Sequence, residues 1–126
     1  MESGQKNLYN AIYLEGDDIS DDGSISSKLV KGIPSIVMIQ GSFCGHCAMA
    51  KPDFDKFAKQ YSGFTIQIDG SEGDKQAFAK IQASFGDKFK GVPTYYYVDS
   101  NGKFKGMYEG GRKLSDLIQF YSSIKD

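Results

Sequence analysis

Tryptophan is absent from this 126-residue sequence, histidine occurs once, and cysteine occurs only twice. Two cysteines are too few for the disulfide framework that supports small secreted domains, so the chain must rely on a hydrophobic core. Its length permits such a core within one domain, residues 1–126. No stretch approaches the roughly 18 consecutive apolar residues of a membrane-spanning helix. These shortages predict a single core-stabilised domain rather than a disulfide scaffold or a membrane protein.

The sequence also lacks an excess of either charge. Lys and Arg total 15 against 16 for Asp and Glu, a net charge of −1, so we expect neither nucleic acid nor an anionic membrane as a partner. Residues 1–6 are polar and lack the apolar core of a signal peptide. If Met1 is the natural start, we expect a cytoplasmic protein, with a virus particle as an alternative compartment.

The stretch Phe43-Cys44-Gly45-His46-Cys47 holds both cysteines and the only histidine. The apolar, β-branched run at 33–40 before it predicts a buried strand. After it, apolar residues at spacings of three and four predict an amphipathic helix of about four turns. The packed positions of this helix are expected to be Ala48, Met49, Phe54, Phe57, Ala58 and Tyr61, with Lys51, Asp53, Asp55, Lys56 and Lys59 on its other faces. Cys44 is therefore expected at the helix N-terminus.

That position predicts thiol chemistry. The free N–H groups and the dipole of a helix N-terminus favour negative charge, so Cys44 is expected to be the attacking thiolate. Cys47 lies about one turn later on the same face, where it can close a disulfide with Cys44 and act as the resolving thiol. A protonated His46 would stabilise the thiolate and the reduced pair, which favours oxidation of other thiols.

A metal site is the alternative use of two closely spaced cysteines. One Cys-x-x-Cys pair supplies only two ligands, and with His46 alone beside it a closed tetrahedral site would require a dimer. The acidic Asp21-Asp22 cluster lacks the spacing of a calcium loop and is better explained as a solvated helix start. We therefore expect no metal and no other cofactor.

The rest of the chain predicts the order β-α-β-α-β-α-β-β-α. Before the cysteine motif we expect a strand from Leu8 to Leu14, a capped helix from Ser20-Asp21-Asp22-Gly23 to Val30 and the strand at 33–40. After the motif and its helix we expect a strand at 64–69 and a helix that is capped by Asp74 and ends near Gly86. Strands at 95–98 and 103–108, joined by a turn at 99–102, precede a C-terminal helix marked by Leu114, Leu117, Ile118, Tyr121 and Ile124.

These features resemble the thioredoxin fold, and the Cys-Gly-His-Cys motif resembles the active site of protein disulfide isomerase domains. Four further segments carry the resemblance over nearly the whole chain. They are Pro52 after the motif, Val92-Pro93-Thr94 before a strand, the turn Asn101-Gly102-Lys103, and Gly111-Arg112 before the last helix.

The resemblance implies an α/β architecture with a central mixed sheet of about five strands flanked by about four helices. It also implies that Gly45 and Pro52 are structural, with Pro52 kinking the active-site helix. A cis-Pro93 would face the cysteines, and Val92 would offer backbone groups to an extended peptide, with Thr94 beside it. Arg112 would approach the site and lower the pKa of Cys47, although a solvated cation at a helix start is an equal alternative.

Three positions depart from the family pattern. Met38 stands six residues before Cys44, where the family pattern has a buried acid. Gln67 stands where the pattern has the lysine that pairs with this acid. Losing both members avoids leaving one charge buried and unpaired, but it removes the usual proton acceptor for Cys47. Phe43 replaces the usual tryptophan and keeps an apolar lip for substrate without an indole donor.

The sequence therefore predicts a monomeric, protein disulfide isomerase-like thiol-disulfide oxidoreductase. Its expected partners are protein or peptide thiols and disulfides, together with a reductase, an oxidase or glutathione that recycles Cys44 and Cys47. The alternative is a peptide-binding or chaperone module that uses the same groove without turnover. The sequence leaves the substrate and the direction of electron transfer open.

Overall fold

The computed structural model describes residues 8–125 as a five-stranded sheet with helices on both faces. The strands are β1 (Ile12–Tyr13), β2 (Ser35–Gln40), β3 (Gly63–Gln67), β4 (Thr94–Val98) and β5 (Phe104–Tyr108), and the α-helices are α1 (Gly45–Gln60), α2 (Glu72–Phe85) and α3 (Leu114–Ile124). Short 3-10 turns at Gly16–Asp18 and Gly86–Lys88 complete the regular structure of this part of the chain.

The sheet is mixed, with the strand order β1-β3-β2-β4-β5. β3 pairs in parallel with β1 and β2, whereas β4 pairs antiparallel with both β2 and β5. All six residues of the central strand β2 are buried. A strand covered on both faces has no need of alternating polar residues, which explains the continuous apolar run in its sequence.

Two hydrophobic cores lie on opposite faces of the sheet. Ile36 and Met38 of β2 point to the core formed with α1 and α3. The alternate residues Val37 and Ile39 point to the core formed with α2 and the N-terminal segment. Tyr121 of α3 fixes the first core, because its hydroxyl donates to the Pro34 carbonyl at 2.8 Å.

The hairpin between β4 and β5 forms as predicted. The carboxylate of Asp99 accepts hydrogen bonds from the N–H groups of Asn101 and Lys103 at 2.8 and 3.0 Å. Gly102 has a φ of +87°, which favours glycine at this position. The pairing of β4 with β5 shifts register between Tyr97 and Val98, which marks a bulge or irregularity near the start of β5.

The predicted helix ending at Val30 is wrong, so residues 8–125 contain three α-helices rather than about four. The Asp22 carboxylate accepts from the Ser24 N–H at 2.9 Å, and Gly23 has a φ of +89°. These local bonds favour a turn over a helix. Ile25 is buried as expected, but it forms an isolated antiparallel bridge with Ile19.

Two predicted boundaries also change. The first strand is limited to Ile12–Tyr13, although Leu8 and Leu14 are buried beside it. Asp74 does not cap α2. The cap is Ser71, whose hydroxyl accepts from the Asp74 N–H at 3.2 Å while the Asp74 carboxylate accepts from the Ser71 N–H at 2.8 Å. This reciprocal pair is a capping box.

The first core can be tested at Phe54, which is fully buried in α1 with its ring centroid 5.9 Å from that of Tyr95. We expect Phe54→Ala to lower the free energy of unfolding by about 3–5 kcal/mol, because it removes buried apolar surface and leaves a cavity. Urea denaturation measures the change. Tyr9→Ala, at a residue that is 81% exposed, is the control and should change stability by less than about 0.5 kcal/mol. Equal losses in the two variants would contradict this account of the core.

Candidate active site

The two cysteines lie where the carboxyl end of β2 leads into α1. Cys44 is the N-cap residue of α1, with an extended backbone, and Cys47 lies in the first helical turn. Their Cα atoms are 5.2 Å apart and their sulfurs form a disulfide. The predicted helix N-terminus at Cys44 and the predicted pairing of Cys44 with Cys47 therefore both appear in the structure.

The two sulfurs differ in access and in hydrogen bonding. Cys44 is half-buried, whereas Cys47 is fully buried. The N–H of Cys47 donates to Cys44 Sγ at 3.0 Å. A thiolate at Cys44 would keep this bond and gain from the helix dipole. Solvent accessibility and electrostatics therefore both favour Cys44 as the more reactive of the two sulfurs.

His46 and Gly45 occupy the exposed outer side of the same turn. The exposed position of His46 leaves its imidazole open to solvent and to an approaching substrate. A Cβ atom built at Gly45 would meet no atom within 4 Å outside its chain neighbours and the backbone of its own helix. The structural role of Gly45 stays a prediction. Pro52 lies inside α1, where it has no N–H to donate, and a kink there stays a prediction.

Two large apolar side chains are exposed near the start of α1. Phe43, next to Cys44 in sequence, is 99% exposed, and Met49 of α1 is 79% exposed. The interpretation of Met49 as a packing residue is wrong, because α1 turns this side chain to solvent. We call Phe43 and Met49 the apolar rim. Exposed side chains of this size beside a reactive sulfur can cover the apolar part of a partner.

The segment before β4 lies against Cys44. The Val92 carbonyl oxygen is 3.6 Å from Cys44 Sγ. The Val92–Pro93 peptide bond is cis, and Pro93 is buried. The Thr94 hydroxyl donates to the Gly91 carbonyl, and Thr94 opens β4 opposite Ile39 of β2. The structure thus brings Cys44, Val92 and Pro93 to one place, as the resemblance implied.

Arg112 lies farther along this surface. It lines a cleft of about 270 Å³ together with Pro93, Thr94 and Tyr95. Arg112 is exposed, and it interacts electrostatically with Tyr95. Burial raises the pKa of Tyr95, and the positive charge of Arg112 partly opposes this rise. The described contacts of Arg112 connect it to the cleft, and its predicted effect on Cys47 stays a prediction.

A polar network holds the loop before Cys44. The Asp69 carboxylate accepts from the Ser42 N–H at 3.0 Å and from the Ser42 hydroxyl at 3.0 Å. Gln67 is fully buried, and its Nε2 donates to the Ser42 hydroxyl at 2.7 Å. Met38 is also fully buried, within the core under α1. Neutral side chains therefore occupy both positions where the family places a charge pair, and an exposed carboxylate orients the loop.

Lys51 is the residue of this region that the sequence interpretation missed. It was expected on an outer face of α1, but it is only 4% exposed. Burial lowers the pKa of Lys51, and the negative charge of Asp69 partly opposes this shift. The signal was present in the spacing, because positions 47, 51, 54 and 58 follow each other at intervals of four, three and four. This interval pattern describes one helix face.

No group of three His, Cys, Asp or Glu side chains in residues 8–125 is arranged to hold a metal ion. None of the helices in this part of the chain has the length and apolar character needed to cross a bilayer.

Comparison with known proteins places these features in context. The sequence matches the thioredoxin family model over residues 22–123. A thioredoxin-like protein of Invertebrate iridescent virus 6 is 26% identical over 123 residues, spanning 86% of this chain and 89% of the viral protein. The protein disulfide-isomerase of Triticum aestivum is 32% identical over 96 residues, spanning 72% of this chain and 17% of that enzyme. Most of the isomerase thus has no counterpart in this chain.

Solved structures show the same architecture. Thioredoxin f from spinach chloroplast superposes with a TM-score of 0.61 at 19% identity, and the match covers 98% of each chain. Human ERp44 superposes with a TM-score of 0.67 at 13% identity, covering 98% of this chain and 32% of that protein.

The different environments of the two sulfurs predict different reactivities after reduction. We expect iodoacetamide to modify Cys44 about tenfold faster than Cys47 at pH 7, because Cys44 is the more accessible and the better stabilised as a thiolate. Mass mapping of briefly alkylated protein measures the two rates. Denatured protein is the control, in which the rates should converge. Equal rates in the folded protein would contradict the assignment of Cys44 as the reactive sulfur.

Proposed function

The chain belongs to the thioredoxin family and has its fold, and from this premise we propose that it is a thiol-disulfide oxidoreductase acting through Cys44 and Cys47. The observation that carries the proposal is the placement of the pair. A half-buried Cys44 caps α1, a fully buried Cys47 lies one turn behind it, and the two sulfurs are joined.

The proposed reaction consists of two exchanges. The Cys44 thiolate attacks one sulfur of a substrate disulfide and forms an S–S bond with it. The substrate disulfide breaks, and its other sulfur leaves as a thiolate. The Cys47 thiolate then attacks Cys44 Sγ, closes the enzyme disulfide and releases the second substrate sulfur. Two electrons pass from the enzyme to the substrate, and the reverse sequence oxidises a substrate dithiol. Neither direction requires a metal, nucleotide or flavin.

The surroundings of Cys44 support a protein or peptide substrate. The apolar rim can cover apolar side chains next to the substrate cysteine. The backbone of Val92 lies beside the sulfur, where an extended peptide can pair with it, with Pro93 and Thr94 continuing the surface toward the cleft. Main-chain pairing recognises an extended shape more than a sequence, which supports a broad range of substrates.

The finer assignments are parts of the same proposal. The Cys-Gly-His-Cys motif supports an isomerase-like direction, because His46 favours the reduced pair. We propose that the protein is a monomer in the cytoplasm. A reductase, an oxidase or glutathione would recycle its cysteine pair. The alternative is a peptide-binding or chaperone module that uses the groove beside Val92 without turnover.

Serine variants test the order of the two exchanges. We expect Cys44→Ser to abolish reduction of a disulfide-bonded protein substrate. Cys47→Ser should retain the first attack and accumulate a mixed disulfide, because the resolving thiol is missing. Non-reducing mass spectrometry detects this adduct.

The double-serine variant separates catalysis from binding. If Cys44→Ser and Cys47→Ser both turn over substrate like the wild type, the proposed mechanism is wrong. If the wild type shows no turnover while the double variant still binds unfolded peptide, the chaperone module replaces it.

The reduction potential tests the role of His46. We expect a value near the roughly −180 mV of protein disulfide isomerase for the wild type, and a shift of His46→Ala toward the roughly −270 mV of thioredoxin. The reason is that loss of the imidazole removes a group that stabilises the reduced pair. Equilibration in glutathione buffers followed by alkylation and mass counting measures both values.

Gln60→Ala, at an exposed residue in the last turn of α1, is the matched control and should leave the potential unchanged. A wild-type value near −270 mV would indicate a thioredoxin-like reductant instead.

A further inference from the structure

Lys51 is a buried lysine on the face of α1 that carries Cys47. Both side chains lie among the buried residues of the helix, with Lys51 4% exposed and Cys47 fully buried. Residues four apart on a helix are neighbours, and helical side chains lean toward the N-terminus. The stem of Lys51 therefore extends back toward the turn that holds Cys47.

Asp69 is the carboxylate that acts electrostatically on Lys51, and it follows the carboxyl end of β3. Asp69 also holds the backbone N–H of Ser42, two residues before Cys44, at 3.0 Å. The negative charge of Asp69 thus favours an ammonium directed toward the end of the sheet where the cysteine pair lies.

The sheet beneath this part of α1 offers acceptors. Gln40 and Gln67 are register partners at the ends of β2 and β3, and both are fully buried. Gln40 lies two residues from Met38, which faces the core under α1, so the two amides face the helix as well. The Oε1 atom of Gln67 has no hydrogen-bond partner among residues 8–125, whereas the Gln40 side chain interacts with the Tyr13 hydroxyl. An ammonium group carries only donors, so an unpaired acceptor in this layer suits a cation.

A lysine side chain packed out of solvent is costly for stability unless its surroundings compensate for its charge. Met38, fully buried in the core under α1, is neutral and cannot pair with a cation. A buried lysine side chain one helical turn from a reactive thiol points instead to a role in the reaction.

We propose that Lys51 is a positioning residue for the second exchange, in which its ammonium stabilises the Cys47 thiolate. The inference rests on the proposed function. Cys47 gives its proton to water, its electron pair forms the bond to Cys44 Sγ, and the bond between Cys44 and the substrate sulfur breaks. The departing substrate sulfur takes the electron pair and then a proton, and Lys51 keeps its own proton throughout.

Other charged or titratable groups lie around this face of α1. They are His46, Asp53 and Asp55 of the helix, Asp69 after β3, Tyr13 of β1, Tyr95 of β4, and Arg112 before α3. Asp53 and Arg112 both interact with Tyr95, and Asp55 interacts with Tyr13. Lys51 is the buried cation among them, because Arg112 is exposed.

The test uses the full chain with Cys44→Ser, so that Cys47 is its only thiol. In this background we expect Lys51→Met to raise the apparent pKa of Cys47 by about one unit, seen as about tenfold slower iodoacetamide alkylation at pH 7, because a nearby cation no longer favours the thiolate. Alkylation rates across pH 6–10, followed by mass, give the pKa. Methionine retains the apolar stem, so the variant should remain folded, which circular dichroism checks.

Two further variants make the result specific. Lys51→Arg keeps the charge and should leave the apparent pKa of Cys47 close to that of the background protein. Lys56→Met removes an exposed lysine from the same helix and should have no effect. An unchanged Cys47 pKa in Lys51→Met, or equal rises in Lys51→Met and Lys51→Arg, would overturn the inference. If Lys51→Met does not fold, Lys51→Gln takes its place with the same expected shift.

The alkylation measurement requires no turnover, so it separates the inference from the proposed function. Failure of the wild type to exchange disulfides removes the proposed function, whatever the Cys47 pKa shows. If exchange proceeds normally and Lys51→Met leaves the Cys47 pKa unchanged, only the role of Lys51 is lost.

Discussion

The pairing of β2 with a parallel neighbour on one side and an antiparallel neighbour on the other is the constraint on which the site depends. Because β2 and β3 run in the same direction, their carboxyl ends bring Cys44 and Asp69 to one edge of the sheet. Because β4 runs in the opposite direction, its beginning at Thr94 reaches the same edge. Three segments that are distant in sequence thus meet around one sulfur, and the buried apolar run of β2 fixes their register.

The sequence predicted the elements whose signals are local and strong. The apolar run of β2, the turn at Asp99–Gly102 and the spacing of α3 each specify one structure without help from the rest of the chain. The segment 20–30 was misassigned because its side chains bond to nearby backbone, an option that competes with a helix and depends on the bridge between Ile19 and Ile25. The burial of Ile25 was nevertheless predicted correctly, since it follows from apolar character.

The candidate active site also combines features with local sequence signals and features that depend on distant parts of the chain. The helix N-terminus at Cys44 and the pairing of Cys44 with Cys47 could be predicted from spacing and helix position. The spacing of Lys51 from Phe54 and Ala58 also marked its burial, but its charge favoured an outer face of α1, just as the apolar character of Met49 favoured an inner one. Polar character is a good guide to exposure except where a charge is buried for a reason outside its own helix. The acceptors of Gln40 and Gln67 lie on two strands, and their convergence beneath α1 exists only in the folded sheet. The amino-acid composition therefore cannot predict this arrangement.

The edges of the sheet affect what kind of chain the protein can meet. β1 contains two residues, and β5 contains five, with Lys105 on it and a register shift near its start. Short, charged or irregular edges are poor templates for adding a strand from another molecule. An extended peptide would therefore add more readily at Val92, beside Cys44 Sγ, than along either edge of the sheet. Under the proposed function, this difference would protect the protein from aggregating with the unfolded chains that it meets.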